Sequence, residues 1–480
     1  MIALKANKIT FFTAVLFTAI FAFVLYRAIA LSITFDEAST SFLFDKNYVD
    51  IMFSEECFNT ANNHILNSLA MKFMMSHFGT KEWAMRLPNV LSFIVYFFSV
   101  VVLLNDVCKT NKEKIVALIL FCSVRYLLDF FSLCRGYGMA NAFEMASISS
   151  YILYLSKNKS KYLVLCFLFA SISIYANFTM LNLFIGLVVT HIFLLFYTAK
   201  INTKNITLSN SIPLFFSLLL FLMIRKPLHF IQSNGEMKWG ANGWFDSLFT
   251  FAKKITYSTG ITAYTLEVLL ILFGLFCVYI AFSFLKKQKI SPLNEEEKIS
   301  LFLIALLLSI IVGTVIQRNV LNVMYLESRK ATLYIPILLV LILIVHRYFV
   351  AQQLTNRFLY TVTTASVAFF FISNKNHAIE EWDFNEYSKA ASMEINQRTP
   401  SKNVWIACGN YLDYPFMYYS HYYFSDHFRG IHTPEKWDKT ITYSYYYVEN
   451  KDDVIIPTNY KKVASYENNT SLWERDSLKY

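Results

Sequence analysis

Apolar runs long enough to cross a lipid bilayer recur along most of this chain. A helix needs about 20 apolar residues to span the hydrocarbon core, and such runs occur between residues 9 and 373 of the 480. The chain is 56% apolar and only 16% charged, unlike an ordinary soluble protein. Because a backbone in lipid must satisfy its own hydrogen bonds, and these runs do not alternate as barrel strands do, they predict membrane helices.

Eleven such helices are predicted, at 9–33, 88–105, 115–133, 137–156, 162–178, 181–199, 209–224, 265–285, 299–317, 331–349 and 357–373. The first is longer than the apolar core of a signal peptide, so we interpret it as an uncleaved helix. The expected fold class is an all-α polytopic membrane protein. Residues 1–375 would form its membrane region, and residues 376–480 a small extracytoplasmic α/β or α+β domain.

The distribution of Lys and Arg predicts the orientation of the chain. With a cytoplasmic N-terminus, the inner segments carry 16 Lys and Arg in 56 residues, and the outer loops carry 13 in 112. This excess favours a cytoplasmic N-terminus and places the C-terminal tail outside. We expect an integral protein of a bacterial inner membrane. The asymmetry explains most of the net charge of +10, and no basic surface indicates nucleic acid as a partner.

Function is expected on the outer side, which carries three long segments. The first outer loop, 34–87, contains "HILNSLAMKFMMSHF", which we interpret as a helix lying along the membrane surface. The second large outer loop, 225–264, contains Gly, Asn and Trp residues typical of a mobile interfacial loop. The tail, 376–480, contains the predicted strands "NVWIACG" and "TITYSYYYV" with the predicted helix "YPFMYYSHYYF" between them.

Two adjacent carboxyl groups, Asp36 and Glu37, follow the first helix directly. Acids near a bilayer are costly unless they serve a site, although a solvated pair in an outer loop is the alternative. An aspartate in this position is suited to act as a general base, taking a proton from an acceptor hydroxyl or amine as that atom attacks a sugar carbon.

Cations recur at the outer ends of later helices. Arg135 lies in "SLCRGYGMA" with Tyr137 beside it, and Arg329 and Lys330 lie in "MYLESRKATLYIP". Each could serve only to anchor a helix at the interface. Alternatively, the three charges bind an anionic phosphate, for which the guanidinium group is well suited. In the latter case they would stabilise a departing phosphate while the acid activates the acceptor.

Further polar residues lie in the first outer loop. His64 follows two asparagines, and Glu82 and Arg86 are four residues apart. On a helix, Glu82 and Arg86 would share one face, and the simplest expectation is that they pair with each other.

The ordered segments "FDEA", "FGTKEWAMRLPNVLSF", "SLCRGYGMA" and "ESRKATLYIP" resemble the GT-C membrane glycosyltransferases. The branch that looks most similar contains the protein O-mannosyltransferases and the lipid A aminoarabinose transferases. The resemblance covers roughly residues 9–349, and is strongest at 32–95. It departs from the family pattern at His64, which isoleucine and leucine follow where the family has two prolines.

This resemblance implies that Asp36 is the catalytic base and that Glu37 shapes its charge or binds the acceptor. It implies that Glu82 and Arg86 organise the first-loop helices, in the segment that also contains His64. By the same resemblance, Arg135 and Arg329 face the donor phosphate, with Lys330 and Tyr137 beside them.

The resemblance implies a polyprenyl-phosphate sugar as the donor. It implies a lipopolysaccharide, another glycan or a protein as the acceptor, and transfer with inversion at the anomeric carbon. Some GT-C members use a divalent metal. The seven cysteines form no CxxC pair, so they predict no metal or redox site. No cofactor is predicted, and a divalent metal, implied by the resemblance, is left open. A disulfide between the two extracytoplasmic cysteines, Cys57 and Cys408, is left open.

Two other functions remain open. A transporter or lipid-linked sugar flippase would carry ionisable groups in mid-membrane, and Asp129 and Glu144 are candidates for such groups. An O-antigen polymerase or ligase would use a large outer loop late in the membrane region, whereas the acid-bearing loop here comes first.

Overall fold

The computed structural model describes most of the chain. The described residues are 2–58, 62–198, 203–257, 260–348, 352–372, 379, 381–399, 404–424, 428–433, 441–450 and 456–476. Helices account for most of them, and a single five-stranded sheet lies near the C-terminus.

Sixteen α-helices lie in the described residues up to Ile372. They are α1 (Ile2–Ala30), α2 (Phe35–Ser41), α3 (Tyr48–Phe53), α4 (Ile65–Phe78), α5 (Glu82–Val107), α6 (Asn111–Ser123), α7 (Arg125–Phe131), α8 (Tyr137–Lys157), α9 (Ser160–Ala176), α10 (Leu181–Thr198), α11 (Thr203–Ser233), α12 (Trp244–Thr256), α13 (Ile261–Gln288), α14 (Glu295–Leu321), α15 (Tyr334–Val345) and α16 (Gln352–Ile372). Short 3₁₀ turns join several of them.

The chain is a polytopic, integral membrane protein of helices, as predicted. Within the described residues, each predicted span lies largely in helical structure. Within the described residues, seven helical segments are long and apolar enough to cross a bilayer, and α9 and the apolar part of α16 are shorter apolar helices. The predicted surface helix of the first outer loop is confirmed as a helix by α4.

Two helical predictions need correction. The span 115–133 is not one helix, because Val124 has an extended backbone (ψ 94°) that separates α6 from α7. The segment 225–264 is largely helical and not a loop, since α11 continues to Ser233 and α12 follows. Pro227 lies inside α11, and membrane helices tolerate proline where other groups satisfy the freed carbonyl.

The chain divides into two compact units. The first comprises Met1–Leu25, Met52–Asn67 and Pro88–Asn374, which is most of the membrane region. The second comprises Tyr26–Ile51, Ser68–Leu87 and Lys375–Tyr480. Parts of the first outer loop therefore form one unit with the C-terminal region, whereas the sequence predicted a separate domain at 376–480.

The C-terminal part of the second unit is a mixed sheet with two helices, α17 (Ser388–Arg398) and α18 (Asp413–Tyr423). Its strands are β1 (Val404–Cys408), β2 (Phe428–His432), β3 (Tyr445–Glu449), β4 (Tyr460–Ser465) and β5 (Thr470–Arg475), in the order β2-β1-β3-β5-β4. β1 runs parallel to β2 and β3, and β5 is antiparallel to β3 and β4. The two predicted strands and the predicted helix are confirmed by β1, β3 and α18.

One apolar core holds this sheet to its helices. Ile395 of α17 and Phe416 of α18 pack with Ile406 of β1, Tyr447 of β3 and Leu472 of β5, and all five are buried. Alternate residues of a strand point to one face, so burying one face of the sheet against the two helices accounts for the α/β character of this region.

Candidate functional site

The adjacent acids lie at the start of α2, in the second unit. Thr34 caps this helix: its Oγ1 accepts a hydrogen bond from the backbone N–H of Glu37 at 3.3 Å, and Glu37 Oε2 accepts one from the N–H of Thr34 at 3.1 Å. This reciprocal arrangement satisfies backbone donors that the first turn of a helix leaves unpaired. Asp36 is buried beside it. Residues adjacent in the sequence therefore cap the start of α2.

The Glu37 carboxylate also receives a buried arginine from α5. Arg86 donates from Nε to Glu37 Oε1 at 2.8 Å and from Nη2 to Oε2 at 2.7 Å, and both side chains have 0% exposure. Its remaining N–H groups donate to the carbonyl oxygens of Ala28, Leu31 and Ser32 at 2.8–3.1 Å. The planar guanidinium group of arginine has five N–H donors, which matches these five acceptor contacts. We call Glu37, Arg86 and these three carbonyls the arginine clamp.

Glu82 has different partners from those expected. Its carboxylate accepts hydrogen bonds from the hydroxyl groups of Tyr419 and Tyr423 on α18, and pairs with Lys389 Nζ at 2.9 Å. The expected pairing of Glu82 with Arg86 is wrong, because each finds a closer counter-charge in the second unit. Their predicted role in organising the first-loop helices agrees with these contacts but stays a prediction.

A second group of predicted residues lies in the first unit, around His64. This side chain is buried, its ring lies edge-on to that of Tyr137 with centroids 5.3 Å apart, and its Nε2 has no hydrogen-bond partner among the described residues. Gly136 makes this packing feasible. Its φ is +68°, and a Cβ there would lie 2.9 Å from His64 Cβ and 2.4 Å from the carbonyl oxygen of Ala176.

Positive charges surround this histidine. Burial, followed by the charges of Arg135, Arg329 and Lys330, holds the pKa of His64 well below its usual value. The imidazole is therefore neutral at pH 7. The charged residues that lower this pKa are all cations among the described residues, so they favour an anion near His64. We call Arg135, Arg329 and Lys330, together with the neutral His64, the cation cluster.

Two of the three cations, Arg135 and Lys330, are held by hydrogen bonds. Arg135 precedes α8 and donates from Nη2 to Asn62 Oδ1 at 3.0 Å. Lys330 donates from Nζ to the carbonyl oxygen of Trp239 at 2.8 Å, and Glu236 and Glu327 are acids near it. Ser328, just before Arg329, has a φ of +50°. Such a backbone is strained for a residue with a side chain and is enriched at functional sites.

An apolar cavity of about 370 Å³ adjoins the chain segment that carries Arg329 and Lys330. Trp244 and Phe251 of α12, Phe273 of α13 and Leu308 of α14 are among its lining residues, together with Ala331 and Tyr334. Two of its lining residues thus follow the two cations within four positions. The cavity has the size and apolar character expected for part of a lipid chain.

The mid-membrane acids named for the transporter alternative differ in their surroundings. Asp129 of α7 pairs with Arg125 Nε at 2.9 Å and accepts a hydrogen bond from the Tyr257 hydroxyl at 2.5 Å. Glu144 of α8 is fully buried, and neither of its carboxylate oxygens has a hydrogen-bond partner within the described ranges. Asp129 is thus a paired structural acid, while Glu144 has no such explanation.

The described residues contain no group of three His, Cys, Asp or Glu side chains that could hold a metal ion. Cys57 and Cys408 are both buried, and no disulfide joins the cysteines that the structure describes.

The predicted site residues therefore form two groups, one in each unit. Asp36, Glu37, Glu82 and Arg86 lie in the second unit, and His64, Arg135, Tyr137, Arg329 and Lys330 lie in the first. Sequence reasoning missed the residues of the C-terminal region that contact the first group: Asn385, Lys389, Tyr419 and Tyr423. They lie more than 300 residues from their partners, and no local periodicity marks them.

Comparison with known proteins gave matches among solved structures. No protein-family model and no curated protein matches the chain. ArnT from Cupriavidus metallidurans matches in two structures, one in the apo state and one bound to undecaprenyl phosphate. Each match has 12% sequence identity and a TM-score of 0.42, and covers 96% of this chain and 97% of the ArnT chain. ArnT belongs to the class that the sequence resembles.

Proposed function

We propose that this protein is a membrane glycosyltransferase that moves a sugar from a polyprenyl-phosphate carrier to an extracytoplasmic glycan, lipid or protein. The observation that carries the proposal is the cation cluster. Three positive charges act on a buried, neutral histidine whose Nε2 has no partner within the described chain. An anionic phosphate is the kind of group that these cations bind, and the guanidinium group suits it geometrically.

The apolar cavity supports a lipid-linked phosphate over a soluble one. A polyprenyl chain needs an apolar surface, and the cavity lies beside the segment that carries Arg329 and Lys330. In this proposal the cavity holds isoprene units nearest the phosphate. The predicted topology, with a cytoplasmic N-terminus, puts the outer loops on the side where such acceptors are found.

Asp36 supplies the base in this proposal. It takes a proton from the acceptor hydroxyl or amine as that atom forms a bond to the anomeric carbon. The bond from this carbon to the phosphate oxygen breaks, and the phosphate leaves with the electron pair. Arg135, Arg329 and Lys330 stabilise the negative charge that develops on it. Attack opposite the leaving group inverts the anomeric centre.

The test compares surface glycans and glycolipids by mass spectrometry, in cells with the wild-type protein, without it, and with Asp36→Asn. We expect a sugar to be missing without the protein, and transfer to fall about 10²–10⁴-fold in Asp36→Asn. Asp45→Asn is the matched control, since Asp45 is an exposed acid in the same loop. Near-normal transfer by Asp36→Asn protein that inserts normally would reject the assignment.

Transport is the second candidate, and the unpartnered Glu144 carboxyl is the observation that favours it. Membrane vesicles loaded with a labelled lipid-linked sugar separate the two functions. Glycosyl transfer joins the label covalently to an acceptor, whereas a flippase only changes the side of the membrane on which the label lies.

A further inference from the structure

The segment before Asp36 is held by the C-terminal region as well as by its own loop. Tyr419 of α18 accepts a hydrogen bond at its hydroxyl from the backbone N–H of Ile33 at 2.9 Å. Asn385 Oδ1 accepts one from the N–H of Phe35 at 2.7 Å. The intervening N–H of Thr34 bonds to Glu37. All three backbone donors immediately before Asp36 therefore have a side-chain acceptor.

These two acceptors are themselves fixed. Tyr419 is 1% exposed and donates its hydroxyl proton to Glu82 Oε1 at 3.0 Å. Asn385 is also 1% exposed and donates from Nδ2 to the carbonyl oxygen of Tyr411 at 3.1 Å. Burial, followed by the nearby charge of Glu82, holds the pKa of Tyr419 well above its usual value, so its hydroxyl keeps this proton.

Packing on the ring of Phe35 reinforces the same arrangement. It lies edge-on to Tyr411 and Tyr414, with centroids 5.3 and 4.8 Å apart. Ser32, on the other side of Ile33, donates its hydroxyl to the carbonyl oxygen of Glu386 at 2.6 Å. Ser32, Ile33 and Phe35 are thus bonded to residues 385–419, and Thr34 is bonded to its own loop.

We propose that Asn385 and Tyr419 are positioning residues for Asp36. They fix the backbone at Ile33 and Phe35, and through it the direction in which the Asp36 carboxylate meets the acceptor. This inference rests on the proposed function, in which Asp36 is the base. It gives the C-terminal region a part in the reaction that its own sequence does not reveal. An error of about 1 Å in the placement of a catalytic group can cost about 10²-fold in rate.

The test uses Asn385→Leu, Asn385→Asp and Tyr419→Phe in the full-length protein. Asn385→Leu has a similar size but no acceptor, and Asn385→Asp keeps the acceptor to the N–H of Phe35. Tyr419→Phe removes one oxygen. Tyr447→Phe is the matched control, because Tyr447 is a buried tyrosine of the same region whose hydroxyl bonds to Thr470, 3.0 Å away in the sheet.

Two quantities are measured for each variant: glycosyl transfer in membrane vesicles that supply donor and acceptor, and binding of undecaprenyl phosphate by native mass spectrometry. We expect Asn385→Leu and Tyr419→Phe to lower transfer about 10- to 100-fold and to leave binding of the lipid phosphate unchanged. Asn385→Asp should recover part of the transfer, because it keeps the acceptor to Phe35 but adds a charge that opposes the ionisation of Asp36. Tyr447→Phe should stay within about twofold of the wild type. A purely structural role would lower binding and transfer together.

The outcomes also separate this inference from the proposed function. Normal transfer by Asp36→Asn would reject the proposed function. Loss of transfer in Asp36→Asn with normal transfer in both Asn385→Leu and Tyr419→Phe would reject the positioning role alone. If Asn385→Leu does not accumulate in membranes, Tyr419→Phe decides, since normal transfer by that variant rejects the role. Parallel loss of lipid binding and transfer would reject it too.

Discussion

The arginine clamp gives the most direct test of the second unit. Arg86 and Glu37 have 0% exposure and share two hydrogen bonds at 2.7 and 2.8 Å. Arg86→Met keeps a long side chain but leaves the Glu37 carboxylate buried without its counter-charge, and three carbonyl oxygens without their donor. Removing one partner of a buried ion pair costs about 3–5 kcal/mol. We expect a loss of this size in the free energy of unfolding.

A double-mutant cycle separates the ion pair from general packing. Glu37→Gln removes the charge and keeps the size of the side chain, and the double variant Arg86→Met with Glu37→Gln leaves no uncompensated charge. We expect the double variant to lose less than the sum of the two single losses, by about 0.5–3 kcal/mol. Arg86→Lys should be intermediate, because an ammonium cannot reproduce the planar fork.

The assay is SDS titration of purified protein in mixed micelles, followed by tryptophan fluorescence and helical circular dichroism. A stabilising role for the arginine clamp is refuted if the free energy of unfolding of Arg86→Met lies within about 0.5 kcal/mol of that of the wild type. A change of this size is usual for an uninvolved surface substitution. It is also refuted if the two single losses add without coupling.

Two further predictions concern the first unit. Gly136→Ala should destabilise the protein more than Gly235→Ala in the same titration. Both glycines have a positive φ, which costs a residue with a Cβ about 1–2 kcal/mol. A Cβ at Gly136 would also meet Ala176 and His64, whereas a Cβ at Gly235 would meet nothing within 4 Å. Because the pKa of His64 is lowered on folding, the unfolded state binds the proton first, so wild-type stability should fall as pH drops below about 6.5, by at most about 1.4 kcal/mol per pH unit. His64→Gln should weaken this dependence and the exposed-residue control His77→Gln should not; equal slopes for all three proteins would contradict the burial argument.

The sequence predicted those features that depend on local composition. Hydropathy located the membrane helices because each apolar run buries its own backbone hydrogen bonds, and β-propensity with its flanking turns located β1 and β3. The interruption at Val124 was missed because an extended residue within an apolar run leaves no mark in hydropathy. The extension of α11 beyond residue 224 was also missed, because Pro227 and the polar residues around it are typical of a loop.

The candidate site was predicted in its residue types but not in its partners. Asp36 and the cations were selected by charge and position, and their roles stay predictions. The expected pairing of Glu82 with Arg86 used the only distance that a sequence supplies, the four-residue helical spacing. Their partners lie elsewhere: Glu37 is 49 residues from Arg86, and Tyr419 is 337 residues from Glu82. Local spacing contains no information about such contacts.

Helical geometry assigns different surroundings to the two adjacent acids. Successive residues of a helix point about 100° apart, so Asp36 and Glu37 cannot both face Arg86 from the first turn of α2. Glu37 faces it, and its negative charge is compensated there. An uncompensated carboxylate one residue away would oppose the ionisation of Asp36, and a base must be ionised to accept a proton. Arg86 therefore stabilises the motif and also offsets the charge of Glu37, which would work against Asp36 in its proposed role as a base. For this reason Arg86→Met should impair glycosyl transfer even under conditions in which the variant remains fully folded.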